Sequence, residues 1–311
     1  FYRPQVLTTS VYKIASGLGQ TRNYVVLTER DLNVVAEKAG IPQNAAGDVV
    51  WKVRASNGVS EKITDEYKTI SITRPAGFAY YPDKIMVAGT AVNAEKPVVL
   101  KRIMQGENFT GEYELFFYLG EGNFYLTEKG TDRRLYITQE GELKELFGAE
   151  KETLVNVPVT NNKIHRVKIN LKKSTAVAVS IESVGLWYSG TNNVMADLQQ
   201  DDVKLPFWSL TRKLELVNSG ALPDYRYKFR ISQKNMKGES TYSFWGYSSV
   251  SAPNQSDTSL PAYFRLNEVD SSQSNYCYKF SRTGHDQANL KIDVDFRPEA
   301  EFFRHYVTVI K

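Results

Sequence analysis

Aromatic rings beside polar loops are the residues whose types and spacing best suit chemistry in this sequence. Sugars present C–H faces that pack on aromatic rings, while their hydroxyls need hydrogen-bonding groups nearby. Three clusters fit this description: Trp187-Tyr188 before a Ser-Gly-Thr-Asn-Asn loop, Trp208 shortly before Arg212-Lys213, and Trp245 and Tyr247 before a polar segment at 248–260. The residues predicted to contact a saccharide are Trp187, Trp208, Arg212, Lys228, Trp245 and Tyr247.

Neighbouring residues of a strand point to opposite faces of its sheet. One ring of the pair Trp187/Tyr188, and one of the pair Phe244/Trp245, is therefore expected at a rim or outside the core. The alternative is that these rings cover a sheet end or a domain interface.

Other chemistry has weaker support. His165, His285 and His305 lie far apart in the sequence. His165 shares the parity of the apolar positions that follow it and is predicted to be a satisfied histidine at a strand start, while His305 is expected to be solvated. The sequence has no H-E-x-x-H motif, calcium-type loop or G-x-S-x-G elbow, and its single cysteine, Cys277, excludes an internal disulfide. No cofactor, metal or enzymatic activity is expected, although a suitably spaced carboxylate pair in one cleft would favour a glycosidase.

The segment 223–231 is the element around which these residues are arranged. Tyr225, Tyr227 and Phe229 alternate with Arg226, Lys228 and Arg230. A period of two predicts a strand with one apolar face and one basic face.

The chain of 311 residues is too long for one ordinary β-sandwich. Residues 1–76 read as an immunoglobulin-like domain with one helix, which Thr28 caps and Gly40 ends. Asn57-Gly58 predicts a hairpin turn, and Trp51 is predicted to be the core tryptophan. Residues 78–173 and 174–311 follow as tandem β-sandwich modules, because short alternating strands recur there in the same order. The predicted fold class is therefore all-β, as tandem β-sandwiches.

The charge pattern does not favour nucleic-acid binding, because the net charge of +4 is spread along the chain without a basic block. No apolar run is long enough to span a membrane. The chain begins at Phe1 without a methionine, so we expect a processed or truncated product whose signal or lipid anchor lay upstream.

Ordered motifs along nearly the whole chain resemble the SusE/SusF-type outer-membrane glycan-binding lipoproteins of Bacteroidetes. The N-terminal part carries a helix, then W-x-V-x-A-S-N-G from Trp51 and I-x-I-T-R from Ile70. The C-terminal part carries V-G-L-W-Y from Val184, Y-R-Y-K-F-R from Tyr225, F-W-G from Phe244, P-A-Y-F-R-L from Pro261 and N-Y-C-Y-K-F from Asn275. The first domain is expected to begin mid-fold, and the first module lacks a tryptophan after Gly89-Thr90.

This resemblance implies an immunoglobulin-like spacer followed by two carbohydrate-binding-module-like domains, the second being the better candidate for binding. It implies a non-catalytic binder of polysaccharide or oligosaccharide at the cell surface, anchored in the outer membrane by a lipid ahead of residue 1. The implied partners are a TonB-dependent transporter and a companion glycan-binding lipoprotein. The alternative is a structural or adhesive surface protein that binds protein partners and has no glycan site.

Overall fold

A computed structural model describes residues 27, 29–52, 54–56, 59–78, 81–92, 98–128, 134–146, 157–159, 161–219, 222–253 and 261–310. The predicted helix cap Thr28 and the predicted turn Asn57-Gly58 lie outside these residues. The described chain is almost entirely β, with several antiparallel sheets, as expected for multiple β-sandwich domains. It divides into two compact units, one reaching to Pro82 and including Leu171–Ser174, the other comprising Asp83–Asn170 and the chain from Thr175 onward.

The first unit contains one described helix and two small antiparallel sheets. Its elements are α1 (Glu29–Lys38), β1 (Ala46–Trp51), β2 (Arg54–Ser56), β3 (Glu61–Ile63) and β4 (Lys68–Thr73). Strand β1 pairs with β4, and β2 pairs with β3. Ala36 of α1 packs with Ile41 and Ile72 to form the core of this unit.

Gly40 ends helix α1, as its sequence position predicts. Its φ of 78° lies in the left-handed region, which glycine adopts without steric cost. The amide of Gly40 donates to the carbonyl of Glu37, and the amide of Ile41 donates to the carbonyl of Ala36. These two bonds form a Schellman motif, which satisfies carbonyls that the helix would otherwise leave unpaired.

Trp51 is not the core tryptophan that the sequence predicts, because 45% of its surface is exposed. It is the last residue of β1, opposite Lys68. The half-buried Val49, two residues earlier on the same side of the strand, packs against the core instead. The core of this unit therefore ends before the indole.

The second unit is built from twenty described strands and a 3-10 helix at Pro261–Phe264. The strands in its first half are β5 (Ile85–Ala88), β6 (Val98–Val99), β7 (Lys101–Gln105), β8 (Asn108–Leu119), β9 (Gly122–Glu128), β10 (Arg134–Ile137), β11 (Leu143–Leu146), β12 (Val157–Val159), β13 (Lys163–Asn170) and β14 (Thr175–Tyr188). Those in its second half are β15 (Asn193–Leu198), β16 (Phe207–Lys213), β17 (Asn218–Ser219), β18 (Leu222–Pro223), β19 (Arg226–Asn235), β20 (Ser240–Gly246), β21 (Asn267–Val269), β22 (Tyr278–Lys279), β23 (Asn289–Asp295) and β24 (Arg304–Val309).

The largest sheet has the order β21-β20-β19-β14-β13-β8-β7, with β15 paired to β14 and β22 paired to β19. A six-stranded sheet, β11-β10-β9-β5-β6 with β12, and a three-stranded sheet, β16-β23-β24, complete the main layers. The early part of the long strand β14 pairs with β13 and its last part pairs with β15. The predicted boundary between residues 173 and 174 thus lies in the turn between two paired strands of one sheet.

The predicted strand at 223–231 corresponds to β19, in the middle of the largest sheet, although β19 begins later, at Arg226, and extends to Asn235. Tyr227, Phe229 and Ile231 are buried in the main core, as their alternation predicts. Residues from β16 and β23, including Trp208 and Ile292, belong to the same core. The apolar parity of β19 therefore faces the three-stranded sheet.

Candidate functional site

Trp245 lies in the main core and is 2% exposed. Its ring centroid is 5.5 Å from that of Phe116, 5.1 Å from that of Phe296 and 6.0 Å from that of Phe303. Trp208 is also buried, with its ring centroid 6.1 Å from that of Phe296. Neither indole offers a face on which a sugar ring could stack.

Trp187 and Phe244 lie on the opposite face of the sheet, and both are buried as well. They form a second small cluster with Cys277, and their ring centroids are 6.0 Å apart. One ring of each aromatic pair, Trp187 and Phe244, does lie outside the main core as expected, but neither reaches a rim, since both are buried and Tyr188 is buried too. The physical reason is that residues from the segment after β21, including Cys277, cover this second face of the sheet.

Lys228 is fully buried in this second cluster rather than available to a ligand. Its ammonium Nζ donates to the carbonyl of Asp270 at 3.0 Å and to that of Ser272 at 2.6 Å. The same Nζ lies 5.0 Å from the ring centroid of Trp187 and 4.7 Å from that of Phe244. Burial lowers the pKa of Lys228. This lysine therefore ties the covering segment to the sheet.

The two remaining predicted site residues, Arg212 and Tyr247, are half-buried and lie in different places. Arg212 lines a cleft of about 680 Å³ together with Thr191 and Asn193 of the predicted polar loop. Its Nη1 donates to the carbonyl of Met195 at 3.1 Å. Tyr247 packs its ring 5.5 Å from that of Tyr263. The six predicted residues thus do not form one site.

His305 is fully buried, so the expectation that it would be solvated is wrong. It lies on β24, and its Nδ1 is 3.1 Å from the carbonyl oxygen of Phe264 while its Nε2 is 2.9 Å from the hydroxyl of Tyr227. A carbonyl only accepts, so Nδ1 carries the proton and the Tyr227 hydroxyl donates to Nε2. His165 is buried, with Nδ1 3.0 Å from the carbonyl of Lys163, as predicted.

The burial of His305 predicts a loss of stability in acid. Burial lowers the pKa of His305 to about 3. The unfolded chain takes up a proton near pH 6.5, whereas the folded chain does not do so until about pH 3, so acidification within this window favours unfolding. The His305 term should lower the free energy of unfolding by about 2 kcal/mol between pH 7 and pH 5.

Urea unfolding of the wild type and of His305→Gln at both pH values measures this term. The gap in stability between the two proteins should narrow by about 2 kcal/mol as the pH falls from 7 to 5. A gap that stays constant with pH would show that His305 is not held neutral by the fold.

A polar cleft of about 440 Å³ at the start of β19 is the candidate site that the sequence did not indicate. The half-buried Tyr225 lines it, and the guanidinium carbon of Arg282 lies 4.2 Å from the centroid of that ring. Other lining residues with polar side chains are Asp224, Arg226, Ser251, Ser274, Asn275 and Lys279. The cleft thus combines one aromatic ring with many hydrogen-bonding groups.

The long-range pairing of β19 with the two-residue strand β22 assembles this cleft. Arg226 lies directly opposite Lys279 in that pairing. The amide of Lys279 donates to the hydroxyl of the buried Tyr263 at 3.0 Å, which fixes β22 in place. Sequence reasoning missed the site because β22 is too short to show a pattern. The only available signal was the recurrence of Tyr next to Arg or Lys in both segments.

Asp224 orients the guanidinium of Arg226 toward the cleft. Nε of Arg226 donates to Oδ1 of Asp224 at 3.0 Å, and Nη2 donates to Oδ2 at 2.7 Å. Burial alone would raise the pKa of Asp224, but the hydrogen bonds from Arg226 outweigh it and hold this pKa below its usual range. The carboxylate therefore stays ionised at neutral pH and fully engaged with Arg226.

The carboxylates that the structure gathers around Arg166 are bound in ion pairs. Arg166 donates through Nε to Glu114 at 2.6 Å and through Nη1 and Nη2 to Glu268 at 2.8 and 2.6 Å. Burial by itself raises the pKa of Glu268, but its interactions with Arg166 and Lys168 together lower it further than burial raises it. A glycosidase acid needs the opposite shift, so Glu268 lacks the property of such an acid.

No protein-family model matches the chain, and no curated protein matches it either. Within the described ranges, no group of three or more histidine, cysteine or acidic residues is placed to hold a metal ion. None of the helices in those ranges has the length and apolar character needed to cross a bilayer.

Proposed function

We propose that this chain is a non-catalytic glycan-binding protein and that the Tyr225 cleft holds an oligosaccharide. The observation that carries this proposal is the half-buried Tyr225 ring among polar side chains in a cleft of about 440 Å³. Ligand sites commonly enclose about 300–1,000 Å³, so the cleft has room for a short saccharide. The part of the ring that Arg282 leaves exposed would pack on sugar C–H groups, while Ser274 and Asn275 would bond to hydroxyls.

The resemblance to SusE/SusF-type proteins supports the cellular setting of this proposal. Such a protein would be displayed at the cell surface by a lipid anchor in the outer membrane. It would pass polysaccharide fragments to a TonB-dependent transporter with the help of a companion glycan-binding lipoprotein. One cleft of this size would bind weakly, and assembly with those partners would raise the overall avidity.

A structural or adhesive protein that binds protein partners is the second candidate function. One observation favours it: Trp187, Trp208 and Trp245 are all buried, so the aromatic surface expected of a glycan binder is missing from these positions. In that case the Tyr225 cleft would have no affinity for any saccharide.

Affinity gel electrophoresis with a panel of neutral and acidic polysaccharides tests the proposal. The intact chain should be retarded by at least one polysaccharide, and Tyr225→Ala should bind it roughly tenfold more weakly, which corresponds to about 1.4 kcal/mol. Asn275→Ala, at an exposed residue of the same cleft, should also weaken binding. The matched control is Tyr242→Ala, since Tyr242 is 61% exposed and lies outside both clefts.

The decisive outcomes concern the intact chain and the control. Equal loss in Tyr225→Ala and Tyr242→Ala would move the site away from the cleft. No retardation by any polysaccharide, with the circular dichroism of a folded β protein, would favour the structural or adhesive role.

A further inference from the structure

The charges of the Tyr225 cleft do not cancel. It is lined by three cationic side chains, Arg226, Lys279 and Arg282, and by one anionic side chain, Asp224. Asp224 is saturated by Arg226, which leaves Lys279 and Arg282 without a carboxylate partner among the residues that the structure describes. The thiol of Cys277, which also lines the cleft, is kept neutral because burial raises its pKa to about 11. The lining therefore has a net charge of +2.

The register between β19 and β22 makes this excess of positive charge costly. Arg226 and Lys279 are direct cross-strand partners, so their side chains leave the sheet on the same side. Like charges in this position destabilise a sheet unless an anion lies between them. Asp224 forms its ion pair with Arg226, because its carboxylate accepts from both the amide and the guanidinium of that residue.

Arg282 is arranged to bind a planar anion. Its guanidinium lies over the Tyr225 ring at 4.2 Å, and stacking of this kind leaves the N–H edges of the fork free to donate. A carboxylate accepts two parallel N–H bonds from such a fork. The neutral donors and acceptors of Ser251, Ser274 and Asn275 line the same cleft and suit the hydroxyls of a sugar.

From these three features we infer that the Tyr225 cleft selects an acidic saccharide, one whose sugar units carry a carboxylate as uronic acids do. This inference rests on the proposed function and narrows it to a ligand class. The carboxylate would lie between Lys279 and Arg282, and an adjacent sugar would contact the part of the Tyr225 ring that Arg282 and the main core leave exposed.

Isothermal titration calorimetry with matched ligand pairs tests the inference. The probes are tetrasaccharides of galacturonate, of mannuronate and of glucuronate alternating with N-acetylglucosamine, each with its methyl ester, which has the same backbone without the charge. At least one acid form should bind about tenfold or more tightly than its ester, because hydrogen bonds to charged groups are the stronger ones. Binding of the acid form should weaken as salt rises, since the cleft is open to solvent.

Two variants and their controls locate the effect. Lys279→Gln and Arg282→Gln should each weaken binding of the acid form about tenfold and leave binding of the ester unchanged. Arg265→Gln is the matched control for Arg282, because the exposed Arg265 also stacks on a ring, that of Phe302 at 4.8 Å, but lies outside the cleft. Lys291→Gln, at an exposed lysine of β23, is the control for Lys279.

The possible results distinguish selection of an acidic saccharide from the glycan-binding function on which that inference rests. If an ester, or a neutral oligosaccharide from the panel, binds as tightly as the acid forms, the acidic class is wrong while glycan binding stands. If neither acidic nor neutral saccharides bind the folded chain, both are wrong.

Discussion

Replacing Arg166 by alanine is expected to lower the free energy of unfolding by about 3–5 kcal/mol. The side chain of Arg166 is 2% exposed and that of Glu114 is 8% exposed, so the change would leave a buried carboxylate without its partner. The guanidinium also lies 4.9 Å from the Trp245 ring centroid, and that contact would be lost. Urea unfolding followed by circular dichroism gives the difference directly.

A double-mutant cycle shows whether the loss comes from the ion pair. Glu114→Gln removes the charge that Arg166→Ala strands, so the double variant should be less destabilised than the sum of the single changes. Lys144→Ala is the surface control: Lys144 pairs with Glu142 at 2.9 Å but is half exposed, and its removal should cost less than about 1 kcal/mol. If the losses in unfolding free energy of the two single variants simply add, the contribution of Glu114 to stability does not depend on Arg166.

Trp245→Ala is expected to cost about 3–5 kcal/mol of stability, because the indole is enclosed by three phenylalanine rings in the main core. Any loss of saccharide binding in this variant should therefore be explained by a smaller fraction of folded protein. Binding measured well below the unfolding temperature, per folded molecule, should match the wild type. Tyr242→Ala on the same strand is the control and should change stability by less than about 1 kcal/mol, since it lies at the surface.

A folded Trp245→Ala protein that has lost binding without losing stability would contradict this account. It would indicate that Trp245 stacks on the sugar, as the sequence alone predicts. The same comparison applies to Trp187 and Trp208, which are also buried.

The strands were predictable from the sequence because alternation depends on neighbours along the chain. The apolar parity of β19 and the helix end at Gly40 both follow from such local patterns. The environment of the other parity was not predictable. Arg226 lines the cleft, Lys228 is buried under the segment after β21, and Arg230 lies 5.9 Å from the ring of the exposed Tyr242. One basic face is thus divided among three environments by segments distant in sequence.

The wrong predictions for individual residues also arise from packing that the local sequence does not show. Trp51 has the parity of a core residue, but its position at the end of β1 leaves it exposed. His305 has a charged neighbour, yet strand β24 turns its ring into the cluster around Tyr227 and Tyr278. The Tyr225 cleft depends on a pairing between Arg226 and Lys279, which are far apart in the chain. A local sequence pattern does not indicate which distant segment of the chain packs over a strand.

The most direct test of the central claim is to find where a saccharide touches the chain. An isotope-labelled sample would be titrated with the best-retained oligosaccharide while amide chemical shifts are recorded by nuclear magnetic resonance. The account predicts that the shifts change at residues 224–226 and 274–279 and around Arg282, and that the Tyr225→Ala variant loses these changes. Changes centred on Trp187, Trp208 or Arg212, with the Tyr225 cleft unaffected, would contradict it.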